Sequence, residues 1–215
     1  MQINTSGQRP QAEESAFFAL LSRTQLINRW SLMRNTWSEN VQEHSFQTAM
    51  IAQALVFIRK AYYPDTDLCP DPDRVLARAL FHDVTEVITG DLPTPVKYHD
   101  SSLTDAYQRL EDEAAARLLA LLPANMRSYY EPYIQGPSCQ NDDAMELEIQ
   151  RFIKAADKLS ALIKCRVELN QGNKEFSAAE AHTEAIIKDL ALPEAQHFME
   201  YFLDDYTETL DHYQV

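Results

Sequence analysis

Apolar residues recur at steps of three and four along almost every segment after residue 14. This periodicity constrains the fold more than any other feature, because it is the pattern of helices that bury one face. No convincing two-residue alternation, which would be typical of half-buried strands, interrupts it. Only 4 glycines are present beside 10 prolines, which argues against a many-stranded sheet with tight hairpins. The sequence therefore predicts an all-α domain of about six to eight helices.

Capping residues and prolines set the expected helix boundaries. Asn40 and Glu43 have the spacing of a capping box, and Asp71 followed by Pro72 is a typical helix start. Gly90 can adopt the positive φ that ends a helix. The predicted helices span 15–27, 41–60, 72–89, 103–122 and 141–170, with two more that begin at Ser177, capped with Glu180, and at Pro193.

Length and charge limit the organisation of the chain and its partners. The 215 residues fit a flexible tail over 1–14 and a single domain over 15–215. A formal net charge of −14 repels polyphosphate backbones, which disfavours a nucleic acid polymer as a partner. The N-terminus is polar and no apolar run approaches the length of a membrane span, so we expect a cytoplasmic protein with no membrane partner.

Four potential metal ligands fall on the buried faces of the predicted helices. His44 continues the apolar stripe of its helix, His82 with Asp83 beside it follows the inner face of the next one, and Asp157 lies on the buried side of the longest. A carboxylate in such a place is unfavourable unless it is paired or bound to a metal. Two imidazoles and two carboxylates suit Zn, Mn, Fe, Co or Ni.

Each of these residues also has a purely structural interpretation. A lone inward histidine such as His44 is more often a hydrogen-bonded core residue than a ligand, and Asp157 could pair with Lys154 or Lys158. A His-Asp dipeptide is common by chance. Their joint occurrence, in order and each on an inner helix face, favours the metal site.

The order H…HD…D resembles the signature of the HD-domain metal-dependent phosphohydrolases. It is formed here by Glu43-His44-Ser45, Phe81-His82-Asp83-Val84-Thr85-Glu86 and Ala156-Asp157-Lys158. From about Phe17 to Phe202 the chain is similar to the bacterial 5′-deoxynucleotidase branch of that family. The stretches that carry this second similarity are Leu26-Ile27-Asn28-Arg29-Trp30, Glu39-Asn40-Val41-Gln42-Glu43-His44-Ser45 and Thr89-Gly90-Asp91-Leu92-Pro93-Thr94-Pro95-Val96-Lys97-Tyr98.

The resemblance implies a helical HD-type homodimer that hydrolyses deoxyribonucleoside 5′-monophosphates to deoxynucleoside and phosphate. It implies one divalent metal ion, whose identity stays open among Co, Mn, Zn, Fe, Ni and Mg. His99 is the only histidine between the His-Asp pair and Asp157, which is thin support for a second metal. By motif, the metal ligands are His44, His82, Asp83 and Asp157.

The same motifs imply roles around the metal. The resemblance places Glu86 at the catalytic carboxylate position. It implies that Asp83 and Arg29 are catalytic residues as well. The implied substrate contacts are Arg29, Trp30, Asp83, Asp91, Leu92, Pro93, Thr94 and Asp157.

The chemistry of Glu86 agrees with a catalytic role. On the predicted helix it lies one turn after His82 and three residues after Asp83, so it shares their face. A carboxylate there can accept or relay a proton from an attacking water. Alternatively, Glu86 could hydrogen-bond the imidazole of His82 and so affect metal affinity. We favour the direct catalytic role.

The proposed substrate contacts have simpler interpretations as well. Arg29 offers a planar fork of donors suited to phosphate, although a surface position is the commoner fate of an arginine. Trp30 could exclude a 2′-hydroxyl by its volume, or could anchor the core. The loop 91–95 is stiffened by two prolines, which would hold Asp91 and Thr94 still, or it could merely connect two helices.

Two other functions remain open on the sequence alone. Another HD-type phosphohydrolase, a phosphodiesterase or a nucleoside triphosphohydrolase, would share the ligands. Triphosphates call for more cations than Arg29, Arg34 and Lys97, which favours a monophosphate. A non-catalytic helical module could use the metal for stability alone. His182, in a distal helix, is assigned to the surface or to packing.

Overall fold

The computed structural model describes residues 14–97, 100–135 and 143–213. Within these ranges it contains ten α-helices joined by turns and short 3-10 segments, and no strand beyond an isolated bridge between Asn28 and Asn40. Seven of these helices have nine residues or more, so the expected all-α fold of six to eight helices is confirmed. The helices are α1 (Phe17–Leu21), α2 (Val41–Tyr62), α3 (Pro72–Leu80), α4 (Glu86–Thr89), α5 (Thr94–Lys97), α6 (Ser101–Ala120), α7 (Ala124–Ile134), α8 (Ala144–Asn170), α9 (Ser177–Asp189) and α10 (Pro193–Tyr201).

Helices α2 and α8 form the centre of the fold. Helix α2 packs against α3, α8 and α10, and α8 packs against α9 as well. Leu55 of α2 and Ile149, Phe152 and Leu159 of α8 are fully buried in the main core. Burial of each such side chain contributes roughly 1.5–3 kcal/mol. The two central helices therefore hold their polar residues, His44 on α2 and Asp157 on α8, on a well-packed support.

The helix starts at α2 and α3 agree with the sequence. Asn40 accepts a hydrogen bond from the Glu43 backbone N–H at 3.0 Å, and Glu43 accepts one from the Asn40 backbone N–H at 3.1 Å. Asp71 caps α3 through the Arg74 N–H, with Pro72 at the first helical position. The capping box therefore fixes the start of α2 one turn before His44.

The expected single helix over 72–89 is wrong. Helix α3 ends at Leu80, and residues 81–85 form turns before α4 begins at Glu86. The backbone N–H groups of Phe81, His82 and Val84 donate to the carbonyl oxygens three residues earlier. These are the hydrogen bonds of a 3-10 turn, which is wound more tightly than an α-helix. The His-Asp pair therefore lies on a turn and not on a helix face.

Other boundaries also differ from the sequence expectation. The helix expected over 15–27 divides into α1 and a 3-10 turn, Ser22–Leu26. Helix α9 begins at Ser177 without a side-chain cap, because Asn173 instead caps the 3-10 turn that precedes it. The extended loop expected over 91–95 stops at Pro93, where α5 follows, and α7 was not expected.

Residues 1–13 of the expected tail lie outside the described ranges, so the division into tail and domain stays a prediction. None of the helices that the structure describes combines the length and the apolarity needed to cross a membrane.

A buried carboxylate ties the segment between Trp30 and Asn40 to the end of α8. Glu168, fully buried, accepts hydrogen bonds from the backbone N–H groups of Thr36 and Trp37. Lys164, one turn earlier, donates to the same carboxylate and to the Trp37 carbonyl. The segment is therefore fixed to a core helix although it has no regular secondary structure.

Candidate active site

Three of the four predicted metal ligands converge beside α2. One ligand atom from each of His44, His82 and Asp83 lies within 4.8 Å of the other two. His44 comes from α2 and is fully buried, whereas the other two come from the turn after α3. Two elements distant in the sequence therefore bring a compact set of nitrogen and oxygen donors together.

The hydrogen bond of His82 fixes which ring nitrogen faces this group. Its Nδ1 lies 2.7 Å from the carbonyl oxygen of Ala79, which can only accept, so Nδ1 carries the proton. The other nitrogen, Nε2, is buried, has no hydrogen-bond partner in the described part of the chain, and lies 3.1 Å from Asp83 Oδ2. In the neutral ring, a lone pair of His82 is therefore directed at a carboxylate.

His44 is oriented by a relay of two polar side chains. Ser160 Oγ donates to Gln47 Oε1 at 2.7 Å and lies 3.1 Å from His44 Nδ1, so it accepts the Nδ1 proton of the histidine. Nε2 is then the unprotonated nitrogen, 3.6 Å from Asp83 Oδ2 and 3.2 Å from Asp157 Oδ1. Burial and the charge of Arg29 lower the pKa of His44, which favours the neutral ring that a metal requires.

Asp83 is the shared acceptor of the group. Its Oδ2 receives a hydrogen bond from Arg29 Nη1 at 3.2 Å and faces the Nε2 atoms of both histidines. Burial alone would raise the pKa of Asp83, but in the metal-free protein a protonated His82 and the Arg29 guanidinium outweigh burial and hold it well below its ordinary range. Asp83 is therefore ionised at neutral pH.

Asp157 joins the group through one oxygen and pairs with a lysine through the other. Its Oδ1 lies 3.2 Å from His44 Nε2, and its Oδ2 lies 2.8 Å from Lys158 Nζ. Burial raises the pKa of Asp157, but the charge of Lys158 opposes this effect, and the pKa lies well below its usual value. The ion pair weighed as an alternative is present, and it leaves Oδ1 directed at the site.

This donor set fits a divalent cation. One ligand atom from each of His44, His82 and Asp83 lies within 4.8 Å of the other two, and Asp157 Oδ1 lies 3.2 Å from His44 Nε2. A neutral imidazole lone pair that faces a carboxylate is repelled unless a proton or a metal cation lies between them. Burial lowers the pKa of His82 in the metal-free protein, but Asp83 outweighs burial and raises it. Imidazole nitrogens with hard oxygens suit the first-row divalent metals.

Glu86 is buried near the site. It is 8% exposed, and its Oε2 forms no hydrogen bond within the described residues. Burial, followed by the charges of Asp83 and Asp91, raises the pKa of Glu86 to about 9. His82 uses Nδ1 on Ala79, so the alternative in which Glu86 orients that ring gains no support from a hydrogen bond.

Arg29 and Trp30 are held by the same carboxylate. Arg29 Nε donates to Glu39 Oε2 at 3.3 Å, and Trp30 Nε1 donates to that oxygen at 3.0 Å. Trp30 has a φ of 56°, a left-handed conformation that is strained for a bulky side chain, and its ring packs against Phe176 at 5.3 Å between centroids. Such strain persists only where the surroundings enforce it.

A cavity of about 700 Å³ opens beside these two residues. This volume is within the range of small-molecule sites. Its lining is mainly apolar and carries polar groups at Arg29, Ser31, Asp91, His182 and Thr183. Arg29 connects the cavity to the metal-ligand group, since it also bonds Asp83. The lining residues are Arg29, Trp30, Ser31, Leu32, Met33, Asp91, Leu92, Pro93, Ala178, Ala179, His182 and Thr183.

The structure thus brings most of the predicted substrate contacts to one place. Asp91, Leu92 and Pro93 line the cavity, whereas the side chain of Thr94 and the whole of His99 lie outside the described residues.

The two other cations considered for a triphosphate are engaged by carboxylates: Arg34 pairs with Glu175 at 2.7 Å and Lys97 with Glu111 at 2.9 Å.

The sequence reasoning missed several residues of the site, of which three are informative. Glu39 and Ser160 support predicted site residues, and His182, which we assigned to the surface or to packing, lines the cavity. The only local signal for Glu39 is its place directly before the helix cap Asn40. His182 had no signal, because α9 meets the cavity only through the tertiary fold.

Comparison with solved structures first defines the class of fold. An HD-domain phosphohydrolase from Listeria innocua is 21% identical, with a TM-score of 0.72 over 93% of this chain and 92% of that one. A cyanophage S-2L HD phosphohydrolase, described as bound to dA and one catalytic Zn²⁺ ion, gives a TM-score of 0.60 at 16% identity over 91% and 99% of the two chains. The fold is that of the HD-domain phosphohydrolases.

Comparison of sequences then gives the family. Residues 16–206 match the family described as 5′-deoxynucleotidase YfbR-like. A 5′-deoxynucleotidase of Pasteurella multocida is 40% identical over 92% of this chain and 96% of its own length, and one of Erwinia tasmaniensis is 42% identical over 92% and 95%. The chain belongs to the YfbR-like 5′-deoxynucleotidase family. The phosphoric monoester hydrolase class predicted from the sequence is confirmed.

Proposed function

We propose that this chain hydrolyses deoxyribonucleoside 5′-monophosphates to deoxynucleoside and phosphate at the group formed by His44, His82, Asp83 and Asp157. The observation that carries the proposal is the position of Arg29. It bonds a predicted metal ligand and also lines a cavity of about 700 Å³ large enough for a nucleoside. Membership in the 5′-deoxynucleotidase family supports the same reaction.

The four ligands would hold one divalent cation among Co, Mn, Zn, Fe, Ni and Mg. Bound there, such a cation would supply positive charge to the phosphoryl oxygens and lower the pKa of water and of neighbouring carboxyl groups. Ser160 and Ala79 keep the two imidazoles in the tautomer that presents Nε2.

Arg29 is assigned to the phosphate. Its Nη1 and Nε donate to Asp83 and Glu39, and within the described residues no hydrogen bond engages Nη2, which is assigned to a phosphoryl oxygen. The side chain is 13% exposed, so its charge is screened little by solvent. An arginine fixed in this way can orient the phosphate without reorganisation when the substrate enters.

Glu86 is assigned to proton transfer. Its buried carboxyl group has a pKa raised to about 9, so it holds a proton at neutral pH in the metal-free protein. A buried oxygen without a partner costs stability, and such a cost is typical of functional groups. This observation also favours an enzyme over a purely structural metal module.

The cavity favours a monophosphate with a deoxyribose. The pairing of Arg34 with Glu175 and of Lys97 with Glu111 neutralises the cations that a triphosphate would need. Trp30 lines the cavity beside Arg29, and the volume of its indole is assigned to opposing an additional 2′-hydroxyl. Leu92 and Pro93 offer the apolar surface that a nucleobase stacks on.

Phosphate release tests this function. After chelation, the protein should release no phosphate from deoxyribonucleoside 5′-monophosphates, and readdition of Mn, Co or Zn should restore release. The matched ribonucleotides should react at least about tenfold more slowly, because a buried clash or an unpaired hydroxyl costs more than about 1.4 kcal/mol. Colorimetric phosphate detection over a panel of bases measures both effects.

The possible outcomes separate the competing functions. Equal release from ribo- and deoxynucleotides would remove the role given to Trp30 and leave a general nucleotidase. Faster turnover of a triphosphate or of a phosphodiester would favour another HD-type reaction. Absence of release with every metal would favour the non-catalytic module.

Ser160→Ala tests the orientation of His44. Loss of the hydroxyl removes the acceptor of the Nδ1 proton, so metal affinity should fall about 10–100-fold. Competition with a chelating dye measures this affinity directly, without reference to turnover. The matched control is Ser45→Ala on the same helix as His44; a variant at Ser160 that binds metal as tightly as this control would contradict the assignment.

The homodimer and the cytoplasmic location stay predictions. A surface for a second copy is available on α2, where Phe46, Met50 and Phe57 are 61%, 56% and 49% exposed. Exposed apolar side chains on one helix face are typical of interaction surfaces.

A further inference from the structure

One carboxylate oxygen is shared by the two residues that we assign to the substrate. Glu39 Oε2 accepts a hydrogen bond from Trp30 Nε1 at 3.0 Å and another from Arg29 Nε at 3.3 Å. The acceptor is charged and the arginine is also charged, so these bonds are stronger than those between neutral groups. Glu39 therefore couples the predicted phosphate contact to the predicted sugar contact.

The backbone around Glu39 is fixed independently of its side chain. The N–H of Arg29 donates to the Glu39 carbonyl at 2.9 Å, and the N–H of Val41 donates to the Ile27 carbonyl at 3.0 Å. Glu39 is 9% exposed and directly precedes the Asn40 cap of α2. A change of the side chain should therefore leave these main-chain contacts in place.

The conformation of Trp30 needs an external constraint. Its φ of 56° is unfavourable for a bulky side chain. Phe176 contacts the ring, with 5.3 Å between the two centroids, but a ring contact tolerates rotation and sliding. The hydrogen bond to Glu39 is directional, and it sets the position of the indole edge.

Resting on the function proposed above, we propose that Glu39 is a positioning residue that sets selectivity for the deoxy sugar. By holding the Trp30 indole and the Arg29 guanidinium through one oxygen, it fixes the distance between the phosphate contact and the group that meets the 2′ position. Without this carboxylate the indole can move, and a ribonucleotide can then be accommodated.

The ratio of kcat/KM for dAMP to that for AMP tests the proposal. Glu39→Met removes the acceptor while keeping a chain of similar length, and it should lower this ratio about tenfold, as loss of one hydrogen bond to a charged group predicts. Glu39→Gln, which retains one acceptor oxygen, should recover part of the ratio. A merely structural role would lower kcat/KM for both nucleotides equally.

Trp30→Phe completes a double-mutant cycle. It removes the indole donor, so it should lower the ratio by itself and make Glu39→Met add little further loss. Additive losses would show that Glu39 does not act through Trp30. If Glu39→Met does not fold, the same cycle with Glu39→Gln decides the question.

Glu43→Met is the matched control for loss of stability. Glu43 lies four residues later and completes the capping box of α2, so its replacement weakens the helix start without touching Arg29 or Trp30. This control should lower the melting temperature and leave the dAMP to AMP ratio unchanged. An unchanged ratio in Glu39→Met as well would overturn the proposal.

A spectroscopic measurement keeps the inference separate from the proposed function. The chain has 2 tryptophans, so a Trp37→Phe background leaves Trp30 as the only indole. In that background, Glu39→Met should increase quenching of Trp30 fluorescence by acrylamide, because the freed indole reaches solvent. Wild-type protein that does not hydrolyse dAMP would count against the proposed function, whereas unchanged quenching would count against the positioning by Glu39.

Discussion

Replacement of Glu86 by glutamine is expected to lower kcat by about 10²–10⁴-fold, the range that general acid–base groups contribute. The amide keeps the shape of the side chain but cannot accept or deliver a proton. Bound metal, measured by elemental analysis, should stay at the wild-type level because Glu86 is not among the predicted ligands. Turnover of a deoxyribonucleoside 5′-monophosphate at saturating metal measures the loss.

The same substitution should not destabilise the fold. Glu86 is 8% exposed and its pKa is raised to about 9, so the metal-free protein already holds it uncharged at neutral pH. Because the folded pKa lies above the unfolded value of about 4.3, wild type loses stability as pH rises between these values. Glu86→Gln lacks this loss, so chelated variant protein should melt higher than chelated wild type at pH 8.

Glu113→Gln is the matched control. Glu113 is an exposed residue of α6 whose side chain is 65% exposed, and it pairs with Arg117 one turn later. Its replacement should leave both kcat and the pH dependence of melting unchanged. A Glu86→Gln enzyme that turns over within threefold of this control would refute the catalytic assignment.

The parts of the fold that could be predicted are those fixed by local interactions. Helix α2 was expected from its apolar stripe and from the Asn40–Glu43 capping box, both of which involve residues close in the sequence. The end of α3 at Leu80 was missed because the following turn depends on the His82 ring, which bonds Ala79 and faces Asp83. Those contacts form within the metal-ligand group, and the apolar periodicity of the sequence does not indicate them.

The site itself divides in a similar way. The motif was sufficient to select His44, His82 and Asp83, and the structure brings them together. It was not sufficient for Ser160, which lies 116 residues after the histidine that it orients. Partners of that kind depend on how α2 and α8 pack, and no local pattern in the sequence indicates that packing.

The second large effect concerns the anchor of the segment that follows Trp30. Replacement of Glu168 by glutamine is expected to lower the free energy of unfolding by about 3 kcal/mol at pH 7, because it leaves Lys164 buried without its charged partner. Lys164 is 6% exposed and Glu168 is fully buried, so solvent cannot compensate. Urea unfolding followed by far-ultraviolet circular dichroism measures the difference.

The pH dependence distinguishes loss of the charge from loss of packing. Burial would raise the pKa of Glu168, but hydrogen bonds from Lys164, Asn173 and Thr36 outweigh burial and lower it. A carboxyl group with a lowered folded pKa stabilises the protein above its unfolded pKa of about 4.3, and this stabilisation is lost as pH falls toward the folded value. The gap between wild type and Glu168→Gln should therefore narrow below about pH 4.3, and a gap that stays constant would indicate a packing defect.

Glu168 and Glu39 hold the same segment at its two ends, and their variants should differ in effect. Glu168 binds the backbone of Thr36 and Trp37, so its loss releases the main chain and lowers stability. Glu39 binds the side chains that meet the substrate, so its loss should alter the choice between dAMP and AMP with a smaller change in stability. Glu168→Gln protein that unfolds at the same urea concentration as Glu113→Gln would show that the segment is held by other contacts.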